Sequence, residues 1–192
     1  MTENEIINRI LNGEKDLFRF LVEEHQAMVF RTCMGFVHNK DDADDLSQEV
    51  FVGAYQALHK FKGNSSFSTW LYRIAVNASL NKVRKSRKSF VFQQLESLFG
   101  PSKQHPIEIV SLETDDPEKI IIREENQKWL QGALDKLPEK QRTAIVLSKY
   151  DDLSQKEIAE IMNITEGAVE ALIQRAKANL RKIISESSKK KF

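Results

Sequence analysis

The chain has 192 residues, of which 41% are apolar and 30% charged, and its formal net charge is +1. This composition is typical of a soluble globular protein with one or two domains, and no apolar run approaches the ~18 residues that a membrane-spanning helix needs. The N-terminus lacks the pattern of a secretory signal, and the single cysteine, Cys33, excludes an intrachain disulfide and a multi-cysteine zinc site, so we expect a cytoplasmic protein without direct membrane insertion.

Apolar residues recur at helical spacing through the N-terminal half of the chain. Glycine and proline are scarce, with 7 and 4 residues, and no stretch alternates for long enough to predict a strand. The four predicted helices run from Ile6 to near Gly13, from Leu17 to about Val37, from Leu46 to Leu58 and from Phe67 to about Lys88. These helices predict an N-terminal domain over residues 1–92.

The helical pattern breaks between residues 93 and 117, where three of the four prolines fall. Proline, glycine, serine and acidic residues in this window predict a linker over residues 93–117. Helical periodicity resumes after the linker and predicts a second domain over residues 118–192. The predicted fold class is therefore all-α, with two small helical domains joined by a flexible linker and a helix-turn-helix in the C-terminal domain.

The last two predicted helices have the pattern of a DNA-binding helix-turn-helix. Ser154 and Glu157 form a capping box before the first helix, Asn163–Thr165 is the turn, and the second helix starts at Glu166. At about 100° per residue, its apolar residues share one face. Its polar face suits base edges and phosphates and consists of Glu166, Glu170, Gln174, Lys177 and Arg181. A solvated amphipathic helix is the alternative interpretation.

A polar stripe follows one face of the fourth predicted helix. Charge is segregated here, because His59 to Phe90 contains eight Lys or Arg residues and no Asp or Glu. The stripe consists of Trp70, Arg73, Asn77, Asn81, Arg84 and Lys88. Bases stack on aromatic rings, amides bond to base edges and cations hold phosphates, so the stripe suits single-stranded nucleic acid. A core tryptophan flanked by surface amides is the alternative.

An acid cluster precedes the third apolar stripe, and Asp42, Asp45 and Glu49 share a helix face there. Such carboxylates could bind a metal or act as acid and base, but no Glu-x-x-His partner lies on another helix. They could also stabilise the helix dipole near its N-terminus. A docking surface for a basic protein partner is the third interpretation.

Together these motifs resemble bacterial RNA polymerase sigma factors of the sigma-seventy family, and the fit is best with the extracytoplasmic-function (ECF) subgroup, which retains only two of the family's domains. The segment Asp42–Leu58 resembles region 2.2, which docks on the coiled coil of the polymerase β′ subunit. The segment Phe61–Lys85 is similar to regions 2.3 and 2.4, which melt and read the −10 promoter element. The segment Leu137–Lys182 resembles region 4, which reads the −35 element.

The resemblance implies three groups of site residues. For core-polymerase docking they are Asp42, Asp45, Leu46, Gln48, Glu49 and Phe51. For −10 DNA binding they are Lys62, Asn64, Ser65, Trp70, Arg73, Asn77, Asn81, Arg84 and Lys85. For −35 DNA binding they are Thr165, Glu166, Glu170, Ala171, Gln174, Arg175, Lys177 and Arg181. Many family members carry a basic residue early in the recognition helix, where this chain has Glu170 and Leu172.

The implied partners are the β′ and β subunits of core RNA polymerase, promoter DNA and an anti-sigma factor. The resemblance implies a non-enzymatic protein, so we expect no catalytic residue, no cofactor and no bound metal.

Two alternative functions belong to other functional classes than a sigma factor. A dimeric helix-turn-helix transcription factor would bind duplex DNA without polymerase, and a nucleic-acid enzyme would need a metal or nucleophile constellation that the sequence does not show.

Overall fold

The computed structural model describes the backbone of residues 1–99 and 129–189 and the side chains of residues 1–86 and 129–186. Helices and short 3-10 turns make up the regular structure of these ranges, which confirms the all-α prediction. The helices are α1 Glu3–Leu11, α2 Phe18–Val37, α3 Lys40–Ala57, α4 Phe67–Phe99, α5, which includes residues 129–135, α6 Glu139–Tyr150, α7 Gln155–Met162 and α8 Glu166–Lys189. None of them, within the described ranges, combines the length and the apolar character that crossing a bilayer demands.

Helices α4 and α8 extend beyond their predicted C-terminal ends. Helix α4 continues to Phe99, through the predicted end near Lys88 and into the first part of the predicted linker. No glycine or proline occurs between Phe67 and Phe99, so nothing in the sequence terminates the helix before Gly100. Helix α8 likewise extends to Lys189 rather than ending near Ile184. The remainder of the predicted linker, from residue 100 on, lies outside the described residues.

Side-chain caps fix the starts of several helices. Thr2 and Glu5 form a capping box at α1, and the predicted box of Ser154 with Glu157 is present at α7. Asn39 accepts from the Asp42 backbone N–H at 2.9 Å and caps α3. Each cap satisfies backbone donors that the helix itself leaves without partners.

Helices α1 to α4 form an N-terminal bundle in which α2, α3 and α4 pack against one another. Its core consists of apolar side chains from all three helices, among them Val29, Phe36, Val50 and Leu71. Cys33 belongs to this core and is fully buried. Burial raises the pKa of the Cys33 thiol.

Helices α5 to α8 form a C-terminal bundle around the helix-turn-helix. Val169, Ile173 and Ala176 are buried, which confirms the predicted apolar face of α8. Asn163 takes the left-handed conformation at the end of α7, with φ of 53°. The Thr165 hydroxyl then accepts from the Ala168 N–H at 3.3 Å and caps α8.

The two bundles pack against each other through α2 with α6 and through α4 with α7; this contact is called the bundle interface below. Its most buried cation is Arg142 of α6, whose side chain is 2% exposed. The Arg142 guanidinium pairs with Asp135 at 2.7 Å and donates to the Phe36 carbonyl oxygen across the interface. Because an unpaired buried charge is strongly destabilising, these partners account for a guanidinium in this position.

A second polar contact joins the end of α6 to α2. The Asp151 carboxylate is fully buried and accepts from the Thr32 hydroxyl at 2.8 Å and from Arg31 Nε at 3.4 Å. Burial raises the pKa of Asp151, whereas the bonds from Thr32 and Arg31 lower it. The carboxylate of one bundle is thus held by two donors of the other.

Gly35 permits the close approach of α2 and α6. A Cβ atom built at Gly35 would lie 2.6 Å from Val146 Cγ1 and 3.2 Å from the Tyr150 ring, and both contacted residues belong to α6. Real Cβ atoms essentially never approach another heavy atom to 2.6 Å. The absence of a side chain at this position is therefore a requirement of the bundle interface, not of the N-terminal bundle itself.

His38 is the titratable imidazole of this interface. Its Nε2 lies 3.8 Å from Asp135 Oδ1 and 3.4 Å from an Arg142 nitrogen. Burial lowers the pKa of His38 from its ordinary value of 6.5, with Asp135 opposing and Arg142 reinforcing the shift. The folded chain therefore favours neutral His38.

We expect the thermal unfolding midpoint to fall as the pH is lowered below about 6.5, since the unfolded chain then binds a proton at His38 more readily than the folded chain does. Asparagine tolerates the left-handed backbone of His38, where φ is 58°. The His38→Asn variant should therefore keep the fold and lose this part of the pH dependence. Circular dichroism melts of both proteins from about pH 7.5 to 5.5 test this, above the range in which exposed carboxylates titrate. Parallel curves for the two proteins would refute the assignment to His38.

Candidate polymerase and nucleic-acid interface

The predicted polar stripe lies along α4, with Asn77, Asn81 and Arg84 exposed and Trp70 and Arg73 half-buried. These five residues are called the reading stripe below. Lys85, predicted beside it, is also exposed, whereas the side chain of Lys88 lies outside the described residues. The structure thus presents amides and guanidinium groups along one helix, as the period of the sequence predicted.

Trp70 belongs to an aromatic cluster at the start of α4. Its ring centroid lies 5.5 Å from that of Phe61 and 5.6 Å from that of Phe67. Both tilted contacts are in the favourable range for aromatic pairs. The Trp70 ring is half-buried, so one part of it packs on the core and the other part is accessible. It is therefore compatible with both sequence interpretations, a core tryptophan and a ring on which a base can stack.

A polar loop precedes α4 and leads into the reading stripe. Lys62 and Asn64 are exposed and Ser65 is half-buried, and Gly63 takes a positive φ of 70° that favours glycine. Ser66 caps the following helix by accepting from the Thr69 N–H at 3.1 Å. The loop is thus held at its end, and Lys62 and Asn64, two of its residues predicted to contact DNA, are exposed.

Two arginines of the reading stripe are bound by the C-terminal bundle. Arg73 donates to the Glu160 carbonyl oxygen at 2.7 Å and to the Ile161 carbonyl oxygen at 3.3 Å. Arg84 forms a bidentate pair with Glu139, with Nε 2.6 Å from Oε1. The hydrogen bonds with Glu139 raise the pKa of Arg84. A fork of two N–H groups on a carboxylate is also how guanidinium holds a phosphate.

Two clefts, both lined by Arg73, lie between the N-terminal and C-terminal bundles. The first, of about 620 Å³, is lined by Arg73 and Asn77 on one side and by Thr143 and Asn163 on the other. The second, of about 730 Å³, is lined by Asn64, Ser65 and Arg73 opposite Thr165 and Glu166. Residues predicted to bind the −10 element thus face residues predicted to bind the −35 element across one gap.

The acid cluster lies on α3, and its members have different environments. Asp42 pairs with Lys82 of α4 at 3.0 Å, and this hydrogen bond raises the pKa of Lys82. Asp45, Gln48 and Glu49 are exposed on the same helix and are called the acid face below. Asp41 and Asp42 lie in the first turn of α3, where their negative charges complement the positive end of the helix dipole. The dipole interpretation of the acid cluster therefore holds for these two residues.

The two apolar residues predicted for docking are in the core. Leu46 is 2% exposed and Phe51 is 8% exposed, so they position α3 and offer little surface to a partner. Val52 and Tyr55, which the sequence analysis missed, are 57% and 37% exposed. The sequence carries a signal for them, because Val52 follows Glu49 by three residues and Asp45 by seven and so shares their helix face.

The recognition helix α8 presents its predicted polar face to solvent. The exposed residues among those predicted for −35 binding are Thr165, Glu166, Glu170, Gln174, Arg175, Lys177 and Arg181, and Ala171 is half-buried. No pairing of Lys177 or Arg181 with a carboxylate closer than 4.0 Å is seen among the described residues. The helix therefore offers acidic and amide groups in its first half and cations in its second.

A histidine and two carboxylates lie close together outside these surfaces. Among the described residues, Glu3, Glu24 and His25 are the group that could hold a metal ion, with ligand atoms within 4.8 Å of one another. Glu3 Oε1 is 2.6 Å from His25 Nε2, and this bond ties α1 to α2. Exposed acidic groups are common without a metal, so the hydrogen bond suffices to explain the arrangement.

Comparison with known proteins identifies the two bundles. The family model described as Sigma-70 region 2 matches residues 21–89, and that described as Sigma-70, region 4 matches residues 127–180. The ECF RNA polymerase sigma factor SigW of Bacillus subtilis is 33% identical, over 92% of this chain and 93% of its own length. The chain belongs to the ECF sigma factors of the sigma-70 family. Sigma factors are non-enzymatic, so the chain is a transcription initiation factor and not an enzyme.

Further relatives agree with this assignment. The RNA polymerase sigma-H factor of Pseudomonas aeruginosa is 32% identical to this sigma factor over 95% of the chain and 93% of its own length. The ECF RNA polymerase sigma-E factor of Escherichia coli K12 is 32% identical over 92% and 91%. The resemblance stated from the motifs is thereby confirmed for nearly the whole chain.

Solved structures agree with the fold. CnrH, determined in complex with the cytosolic domain of CnrY, has a TM-score of 0.63 and 24% identity, over 94% of this chain and 96% of CnrH. The sigma factor RpoE of Bartonella quintana, in complex with the anti-sigma factor NepR, has a TM-score of 0.56 and 22% identity, over 88% and 96%. This sigma factor shares their helical fold.

Proposed function

We propose that this sigma factor binds core RNA polymerase through the acid face of α3 and directs promoter-specific initiation in the cytoplasm. The observation that carries the proposal is the presence of three separate polar surfaces on one chain: the acid face, the reading stripe and the exposed face of α8. Charge complementarity speeds association and selects the partner, so Asp45 and Glu49 suit a basic surface of the β′ subunit. The exposed Val52 and Tyr55 add apolar area to the same face.

In the proposed mechanism, α4 acts on the −10 element and α8 on the −35 element. Arg73, Arg84 and Lys85 hold phosphates, Asn77 and Asn81 bond to base edges, and Trp70 stacks on an unpaired base. Lys62, Asn64 and Ser65 border the entry to this surface. On α8, Glu166, Glu170 and Gln174 approach base edges, and Arg175, Lys177 and Arg181 hold the backbone.

Reconstitution tests this function directly. The purified chain should co-elute with core polymerase and should support run-off transcription from promoters that core polymerase alone does not use. The products should start downstream of a common pair of sequence elements. A chain that binds duplex DNA as a dimer and does not associate with core polymerase would instead be a conventional helix-turn-helix regulator.

An anti-sigma factor is the proposed regulator. The similar RpoE of Bartonella quintana was solved in complex with the anti-sigma factor NepR, which supports a partner of this kind for the present chain. Such a protein would compete with polymerase or DNA for the surfaces described above. Purification of the tagged chain from its host, with identification of the copurifying proteins, tests the proposal.

Lys177 and Glu170 should have different roles in −35 binding. We expect Lys177→Ala to weaken binding to all promoters similarly and to reduce the slope of log K against log salt by about one, because one phosphate contact is lost. Glu170→Ala should instead relax the preference at one −35 position, by roughly 1–3 kcal/mol, since a carboxylate accepts from cytosine N4. Selection of a promoter library by each holoenzyme, with salt titrations of a selected promoter, measures both effects. An unchanged −35 preference in the Glu170→Ala library would exclude Glu170 as a reader.

A further inference from the structure

Lys82 belongs to the basic block from His59 to Phe90, but it contacts the acid cluster of α3. Its Nζ atom lies 3.0 Å from Asp42 Oδ1. At about 100° per residue, Lys82 lies about 140° around α4 from Asn77 of the reading stripe. This lysine therefore extends toward the helix that is proposed to bind polymerase, and not toward the surface that is proposed to bind DNA.

The charge of Lys82 interacts with three carboxylates of α3. The hydrogen bond and the charge of Asp42 raise the pKa of Lys82, and the charges of Glu49 and Asp45 raise it further. The side chains of Lys82 and Asp42 are 40% and 48% exposed, so a partner protein can reach both from solvent. A basic surface that approaches Asp45 and Glu49 therefore meets a positive charge beside them.

The ion pair of Lys82 with Asp42 contributes little to the stability of the fold. Exposed ion pairs are weak because solvent screens them, and α3 and α4 already pack through buried apolar side chains such as Val50 and Leu71. Asp42 also lies in the first turn of α3, where a carboxylate is favourable without a cation. The main effect of Lys82 is therefore on the charge that α3 presents to solvent.

We propose that Lys82 weakens the docking of this sigma factor on core polymerase, because it competes with the partner's cations for Asp42 and repels them from the acid face. This inference rests on the proposed docking function of the acid face. Charges at the rim of an interface act mainly on the association rate and on its salt dependence, so Lys82 affects these two quantities. The affinity for polymerase is thereby set below the value that the carboxylates of α3 alone would give.

Three variants separate the charge of Lys82 from its other properties. Lys82→Gln removes the charge and keeps a long polar side chain, whereas Lys82→Arg keeps the charge. Lys182→Gln is the matched control, because it removes the same charge and an exposed ion pair, that of Lys182 with Glu186 at 4.0 Å within α8. A general effect of net charge would appear equally in Lys82→Gln and in Lys182→Gln.

The experiment measures association of the full-length chain with core polymerase in the absence of DNA. Lys82→Gln should associate about threefold faster than wild type at physiological salt, which is the size of effect that exposed charge pairs have. The gain should increase at low salt, because the Debye length is then longer. Lys82→Arg and Lys182→Gln should associate at the wild-type rate. Partial unfolding of Lys82→Gln would slow association, so a gain cannot arise from damage to the fold.

A double-mutant cycle tests the competition for Asp42. In the wild-type chain Asp42 is already paired with Lys82, so Asp42→Asn removes a carboxylate that is partly neutralised. In the Lys82→Gln chain the same substitution removes a carboxylate that is available to the partner's cations. Asp42→Asn should therefore weaken polymerase binding by a factor about threefold larger in the Lys82→Gln chain than in the wild type. Equal factors in the two chains would show that Lys82 does not compete for Asp42 and would overturn that part of the proposal.

The double variant Asp45→Lys, Glu49→Lys distinguishes failure of this inference from failure of the proposed function. If the double variant binds polymerase more weakly but Lys82→Gln associates no faster than wild type, the role of Lys82 is overturned and the acid face remains the docking surface. If neither change alters association, both the docking function and the inference fail. Weaker promoter binding by Lys82→Gln holoenzyme, with an unchanged association rate for polymerase, would instead assign Lys82 to DNA.

Discussion

Replacing Asp45 and Glu49 together by lysine should weaken binding of the sigma factor to core RNA polymerase by at least tenfold, with helix content unchanged. Both side chains are exposed on the acid face, and neither forms an ion pair within 4.0 Å among the described residues, so their removal disrupts no observed intramolecular pair. Juxtaposed like charges cost several kcal/mol at an interface, and each 1.4 kcal/mol is about a tenfold change in affinity. Titration of labelled core polymerase with each variant measures the loss.

A neighbouring carboxylate supplies the control for this prediction. Asp44 is exposed beside Asp45, but successive residues of a helix differ in direction by about 100°. Asp44→Lys should therefore weaken binding much less than Asp45→Lys, although both substitutions change the net charge equally. Equal affinities for wild type and the double variant would remove the acid face from the docking surface and leave it as a solvated helix face.

Replacing Trp70 and Asn77 by alanine should reduce open-complex formation by about tenfold or more while changing polymerase binding little. Loss of one stacked base is worth roughly 1–3 kcal/mol, and Asn77 adds a base-edge contact in the proposed mechanism. Permanganate reactivity of unpaired thymines at the −10 element, compared at equal occupancy of core polymerase, measures strand opening. Equal reactivity with wild-type and variant holoenzyme would contradict the assignment of the reading stripe to melted DNA.

The packing of Trp70 makes the single variants informative. The Trp70 ring contacts Phe61 and Phe67, so Trp70→Ala removes core contacts as well as an accessible ring. Asn77 is exposed, and Asn77→Ala removes a polar group without a cavity. A defect in strand opening shared by both variants, with a lowered unfolding midpoint for Trp70→Ala only, separates the DNA contact from the structural role.

Local features of this sigma factor were predictable because short-range rules determine them. The capping box at Ser154, the turn at Asn163 and the buried face of α8 depend on residues within a few positions of one another. The reading stripe also followed from helical period alone. The bounds of α4 were less accurate, because a basic run near Lys88 has no helix-terminating residue and the helix continues until Phe99.

The bundle interface was not predictable from the sequence, since periodicity shows which face of a helix is apolar but not which helix covers it. Nothing local marks Arg142 as buried or Gly35 as a contact point, because both depend on residues about a hundred positions away. The residues predicted for polymerase docking show that a sequence motif also does not distinguish buried from exposed apolar residues. The motif includes Leu46 and Phe51, which α3 directs into the core, whereas Val52 and Tyr55 reach solvent.

The position of Cys33 has a consequence for how a cell could use this sigma factor. The thiolate is the form that reacts with peroxide, disulfides and electrophiles, and burial in the N-terminal core both shields this thiol and disfavours its ionisation. The chain contains no other cysteine. While the N-terminal bundle is folded, this thiol is shielded from oxidants, so a cysteine-based redox response of its promoters would need chemistry on a partner protein.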